Sequence, residues 1–284
     1  MDNTKLLFPD KEDKKIIDRI ITQLFLKARS NDAAEYIAAI KYFADMYSLH
    51  QKTPNQELRD TVIETYELMS KGMQGNIGIK LFAYLYCQIF ESDNWLNLIC
   101  NLLNVLNSEC ADRQPFHKEI TNDLKMESLQ KIEDILKSSG DLDEKVITIN
   151  QIMNQITNPY PTILSKIKKI KNISKKVDSE IGDLLQELFK NDFRNDFVHS
   201  DYVLYKGHFN LIKANKNIKY EALVEIMTSA IYLYISLTSK VFDEIEHMEK
   251  RGYVEYKGKH GFIKMTINPD GTILHESKML CANF

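Results

Sequence analysis

The stretch YEALVEIMTSAIYLYISLTSKVFDEIEHMEK, Tyr220 to Lys250, carries apolar residues at Leu223, Ile226, Met227, Ala230, Ile231, Tyr234, Leu237, Val241 and Ile245. Steps of three and four place these positions on one face of a helix. No glycine or proline interrupts the stretch, so the spacing predicts one long helix over about 220–250. A helix of this kind needs other helices to cover its stripe, which argues for a bundle.

The text on its N-terminal side keeps the same period. Between Ile163 and Phe197 apolar residues fall at Ile163, Ile167, Ile170, Ile173, Val177, Ile181, Leu184, Leu188 and Phe189, which predicts one long helix or two nearly continuous ones. Between these helical regions the period changes to two. YVLYKGHFNLI (202–212) has a Lys-Gly turn between β-prone runs and reads as a hairpin. The tail GFIKMTINPDGTILHES (261–277) alternates around an Asn-Pro-Asp-Gly turn and reads as a second hairpin. Earlier in the chain, helical spacing predicts helices over about 11–28, 32–47, 57–70, 78–91, 94–107, 116–138 and 142–156. HQKTPNQ (50–56), SKGMQGNIG (70–78) and TNPYPT (157–162) read as loops or breaks. The expected fold is mainly α: a helical N-terminal extension over 1–56, a helical bundle over 57–250, and a C-terminal β hairpin over 251–284.

Bulk composition excludes several function classes. The chain has 284 residues and a formal net charge of −3, so no global field draws it to nucleic acid, and any such contact needs a local patch. The apolar run IKLFAYLYCQIF (79–90) is too short to span a bilayer, and no signal-peptide core opens the chain. The cysteines Cys87, Cys100, Cys110 and Cys281 form no C-x-x-C pair, and three lie in apolar helical text as buried thiols. These readings place the chain in a reducing, cytoplasmic setting with no membrane partner. Its histidines form no metal-ligand set with nearby Cys, Asp or Glu, and no nucleotide-binding loop is present, so no cofactor is expected.

One stretch carries chemistry. LFKNDFRNDFVHSDYVLY (188–205) puts Arg194 and Asn195 ahead of His199 at an expected helix end. Histidine suits proton transfer near neutral pH. Arginine is a fixed cation whose planar fork matches a phosphate. Together they can cut RNA without metal, with histidine moving the proton and arginine stabilising the charged transition state. Asn195 can orient either group. Five positions on a helix, however, point about 140° apart. Arg194 and His199 therefore cooperate only if the helix ends or bends near Val198, or if two copies of the motif face each other across a two-fold axis. Upstream, LSKIKKIKNISKK (164–176) surrounds an isoleucine stripe with Lys166, Lys168, Lys169, Lys171, Lys175 and Lys176. Such a lysine face either solubilises an apolar helix or tracks phosphates.

The segment RNDFVHSDY (194–202) resembles the R-x(4–6)-H signature of HEPN domains, including the polar residue directly after the arginine. The resemblance implies a four-helix core within the bundle, a homodimer and metal-independent endoribonuclease activity. It implies Arg194 and His199 as the catalytic pair, supported by Asn195, and RNA as substrate. It also implies a bacterial toxin–antitoxin or phage-defence setting, with an antitoxin or regulatory protein as a further partner. A rival reading is a non-catalytic helical interaction module in a defence or regulatory complex, docking through the amphipathic helix around Ile16 to Phe25.

Overall fold

The structure, a computed structural model, describes residues 11–44, 54–70, 76–116, 122–139, 141–157, 161–267 and 273–279. Helices α1 (Lys11–Asn31) and α2 (Ala33–Ala44) are followed by α3 (Pro54–Ser70), α4 (Asn76–Glu91) and α5 (Asp93–Leu106). Next come α6 (Asn122–Lys137), α7 (Leu142–Thr157), α8 (Ile163–Lys176), α9 (Ile181–Leu188) and α10 (Asn191–Val198). Strands β1 (Tyr202–Tyr205), β2 (His208–Leu211) and β3 (Lys216–Lys219) lead into α11 (Tyr220–Arg251), and β4 (Tyr253–Gly258), β5 (Gly261–Ile267) and β6 (Ile273–Met279) complete the order. The fold is mainly α with small antiparallel sheets, as the periodicity predicts. The turns expected at 71–75 and 268–271, the loop residues 50–53 and the break at 158–160 lie outside the described residues.

The core is built on α4, α5 and α11. Trp95, Tyr86, Phe90, Tyr234, Phe193 and Phe209 are among its largest fully buried side chains. They form a continuous aromatic column. Tyr234 meets Trp95 at 6.0 Å between ring centroids, Trp95 meets Phe90 at 5.3 Å, and Phe90 meets Tyr86 at 5.0 Å. The column continues from Tyr86 to Phe193 at 6.0 Å and from Phe193 to Phe209 at 5.2 Å. All but the tilted Tyr86–Phe193 pair are edge-on, an arrangement that adds roughly 0.5–1.5 kcal/mol per pair beyond area burial. Among the described residues α11 alone is long and apolar enough to cross a membrane, but 61% of its most apolar window is buried inside the protein. It packs on α1, α3, α4 and α5 as a core helix.

The structure departs from the sequence reading in three places. First, the N-terminal helices are no appendage. Ile17, Ile20, Ile21, Leu24 and Phe25 of α1 are buried, and α1 and α2 both pack on α5. The stripe expected to dock a partner is thus spent inside the molecule. Second, each expected hairpin is a three-stranded meander, in the orders β1-β2-β3 and β4-β5-β6. The extra strands, KNIK and YVEYKG, are short and flank long helices, so their alternation is too brief to register alone. Third, Cys110 is disulfide-bonded, whereas Cys87 and Cys100 are free and buried. Burial pushes both free thiols up to about 12.

Asp32, buried at the α1–α2 joint, binds the far end of the chain. Its Oδ1 accepts from the Glu35 N–H at 3.0 Å, capping α2. Its Oδ2 accepts from the backbone N–H groups of Lys259 at 2.7 Å and His260 at 3.3 Å. A side chain at Gly258 would overlap this carboxylate, so the β4–β5 turn needs glycine there. The segments divided at residues 56 and 250 therefore share one core. Asp32→Ala strips three backbone donors of their acceptor and is expected to cost at least about 2 kcal/mol, read as a lower urea midpoint at unchanged slope. A midpoint indistinguishable from wild type would show that the turn does not depend on this carboxylate.

Candidate functional site

The 163–197 stripe does not make one long helix. Its apolar period persists because three successive helices present the same stripe to one core. At the end of α8, Asp178 takes the left-handed backbone conformation (φ 50°). The chain then turns back, and Gly182 lets α9 lie directly against α8. A Cβ at Gly182 would stand 2.6 Å from the Lys171 Cα. The α9–α10 break is held by the buried Tyr86 side chain of α4. Its hydroxyl donates to the Leu188 carbonyl at 2.9 Å and accepts from the Lys190 N–H at 2.7 Å. The break would otherwise leave both groups unpaired. Burial pushes the Tyr86 hydroxyl pKa well above its ordinary value.

Two further anchors fix α10. Phe193 is fully buried in the aromatic column. Asp196 is buried, its Oδ2 accepting from the Ala214 N–H at 3.1 Å and its carbonyl accepting from the Asp201 N–H at 2.8 Å. The β1–β3 meander is thereby joined rigidly to the end of the helix.

On this frame Arg194 is half-buried. Its Nη2 pairs with the Glu91 carboxylate at the C-terminal end of α4, and its Nη1 donates to Asn195 Oδ1 at 2.9 Å. Its Nε is buried with no acceptor among the described residues. The Arg194 charge also reaches the neighbouring Cys87 thiol and partly offsets the effect of burial there. Glu91 is the neighbour of Arg194 that the sequence did not reveal, because 103 positions separate the two and only the packing of α10 on α4 joins them.

His199 is exposed and caps α10 with φ −86° and ψ 3°. Its N–H still donates to the Asn195 carbonyl at 3.1 Å, as in a continuing helix. The left-handed turn comes one residue later, at Ser200 (φ 59°). The helix does end where the sequence suggests, and its backbone stays near-helical through His199. On a regular helix, side chains five positions apart leave the axis about 140° apart. One copy brings Arg194, Asn195 and Glu91 together, and among the described residues no side-chain hydrogen bond or ion pair joins His199 to them.

The lysine face divides in the same way. Lys166 is buried, with its ammonium 5.7 Å from the Phe116 ring centroid. Lys169 donates to the Pro115 carbonyl at 2.6 Å. Lys171 pairs with Asp183 at 2.9 Å. These three tie α8 to its neighbours through their long side chains and do not form an open phosphate track. Lys168, Lys175 and Lys176 are exposed and carry no hydrogen bond or ion pair among the described residues. Also among the described residues, no group of three or more His, Cys, Asp and Glu could hold a metal ion. Comparison with protein-family models, with curated proteins and with solved structures finds no match to this chain.

Tyr86→Phe keeps the ring and removes the pin at the α9–α10 break. It is expected to destabilise by at least about 2 kcal/mol and to speed hydrogen exchange at the α10 amides more than at those of α11. Unchanged protection of α10 would mean that Phe193 and Asp196 hold the helix without the pin.

Proposed function

We propose that the chain is a metal-independent endoribonuclease of the HEPN type, acting as a homodimer in which Arg194 of one copy and His199 of the other serve one site. The observation that carries this reading is the division of labour on α10. A guanidinium is fixed by Glu91 and Asn195, and the exposed imidazole at the helix end stands five positions on, which on a regular helix is about 140° round the axis. Neither group completes a site within one copy, and a two-fold pairing supplies the missing half. One N–H on each terminal nitrogen of Arg194 remains for a phosphate after Glu91 and Asn195 are served.

In the proposed reaction His199 takes the 2′-hydroxyl proton. The freed oxygen attacks the adjacent phosphorus, and the 5′-oxygen leaves and is protonated. The products are a 2′,3′-cyclic phosphate and a 5′-hydroxyl end. Arg194 stabilises the added charge on the phosphorus oxygens. Asn195 and Glu91 hold the guanidinium in place, and Lys168, Lys175 and Lys176 guide the strand toward it. The setting implied is a bacterial toxin–antitoxin or phage-defence system, with an antitoxin or regulatory protein as the second partner.

A second reading, a non-catalytic helical interaction module, is favoured by the α6–α7 hairpin. Leu129, Leu136, Leu142, Val146 and Ile147 all stay exposed there. Such a face is a natural docking surface.

The test uses His199→Ala. The side chain is exposed, so stability should change by no more than about 0.5 kcal/mol. Loss of general acid–base catalysis should slow cleavage by about 10²–10⁴-fold while RNA binding persists. Arg194→Lys keeps the charge but loses the fork and should also lose most activity. Wild-type cleavage should survive excess EDTA and leave 2′,3′-cyclic ends. Wild-type rates from a folded His199→Ala protein would remove His199 from the mechanism, and absence of cleavage by the wild-type dimer would leave the interaction-module reading.

A further inference from the structure

The β1–β3 meander begins three residues after His199 and has two unlike faces. Phe209 and Leu211 are buried on its inner face, beside the half-buried Leu204 and Ile218. The register puts Val203, Asn210 and Asn217 in one row of the outer face and Tyr205, His208 and Lys219 in the next. Tyr205 is 58% exposed, and Val203, Asn217 and Lys219 are exposed as well. The Lys206 ammonium sits 5.0 Å from the Tyr205 ring centroid, which places a cation beside the aromatic face. The His208 ring is held by its Nδ1 contact with the Lys206 carbonyl at 3.0 Å.

Charge is concentrated here. Residues 201–219 hold Lys206, Lys213, Lys216 and Lys219 against the single carboxylate of Asp201, in a chain whose net charge is −3. Two of these lysines are internally engaged, Lys213 with Asp201 and Lys216 with Asp192. Lys206 and Lys219 keep their charge on the outer side. An antiparallel sheet with one wet face usually dresses it in mixed charges. This one carries an aromatic ring, an imidazole, two amides and cations, and no carboxylate. Those groups match single-stranded nucleic acid, whose bases stack on rings while its phosphates meet lysines.

We infer that the outer face of β1–β3 is a platform for single-stranded RNA, with Tyr205 stacking a base, Asn210 and Asn217 meeting base edges, and Lys206 and Lys219 meeting phosphates. This rests on the ribonuclease reading and names its substrate as unpaired RNA. Tyr205 lies six residues beyond His199, so the platform starts within about 20 Å of the imidazole and on the same rigid unit. A strand bound along the sheet would run back toward the scissile position.

The experiment titrates a fluorescent single-stranded decaribonucleotide into His199→Ala protein and follows anisotropy, so that the probe survives. Tyr205→Ala in that background should weaken binding about tenfold. Lys219→Gln should lower the slope of log affinity against log salt by about 0.7. Lys137→Gln on α6 should change neither. A fully paired RNA of the same length should bind more weakly than the single strand. Parent-like binding by both platform variants, or no single-strand binding by the parent, would overturn the platform. If wild type cleaves RNA while the platform variants bind as the parent does, the ribonuclease reading stands and the platform falls. If the platform variants lose binding but wild type does not cleave, the platform stands and the ribonuclease reading falls.

Discussion

The Tyr86 hydroxyl sits where α9 stops and α10 begins, and it satisfies one backbone group on each side of the break. Everything proposed for the site depends on that pin. A break between helices leaves carbonyls and amides without partners, and burying them unpaired costs about 1–3 kcal/mol each. One phenol relieves both. Because Tyr86 belongs to α4, it also sets the distance between α10 and the end of α4, where Glu91 receives Arg194. The aromatic column carries this constraint from Trp95 in the core, through Phe193, to Phe209 under the β1–β3 sheet. The guanidinium, the imidazole and the sheet are thus mounted on one stiff support, as a preorganised site requires.

The rest of the molecule supplies that support with ordinary means. The helix α11 buries its middle turns on nearly every side, against α1, α3, α4 and α5. Asp32 binds the C-terminal sheet to the α1–α2 joint, so the first and last elements brace each other. The exception is the α6–α7 hairpin, whose helices pack on each other and leave leucines in water.

How much of this the sequence disclosed depends on the range of the interaction. Long stripes with no glycine or proline, such as 220–250, were legible because a 3.6-residue period repeated many times admits one reading. The same rule misread 163–197. Periodicity reports which face meets the core and is blind to a chain that stops, turns and resumes in phase. Gly182 was the local sign of that turn, but its meaning lies in the approach of Lys171, which no local pattern contains. The lysines of α8 looked alike in sequence. Their difference comes from Phe116, Pro115 and Asp183, residues brought near by folding. Of the candidate site, the residue types were legible and the 140° offset was calculable, whereas Glu91 and the near-helical backbone at His199 required the structure.

The offset makes the central claim testable by mixing subunits. His199→Ala and Arg194→Ala proteins, each inactive alone, are unfolded together, refolded at equal concentration and assayed for RNA cleavage in EDTA. Half of the resulting dimers pair unlike subunits, and each of these holds one intact site if Arg194 and His199 come from different copies. The account predicts recovery of about a quarter of the wild-type rate. No recovery, with mixed dimers verified by mass and wild type active under the same conditions, would contradict it.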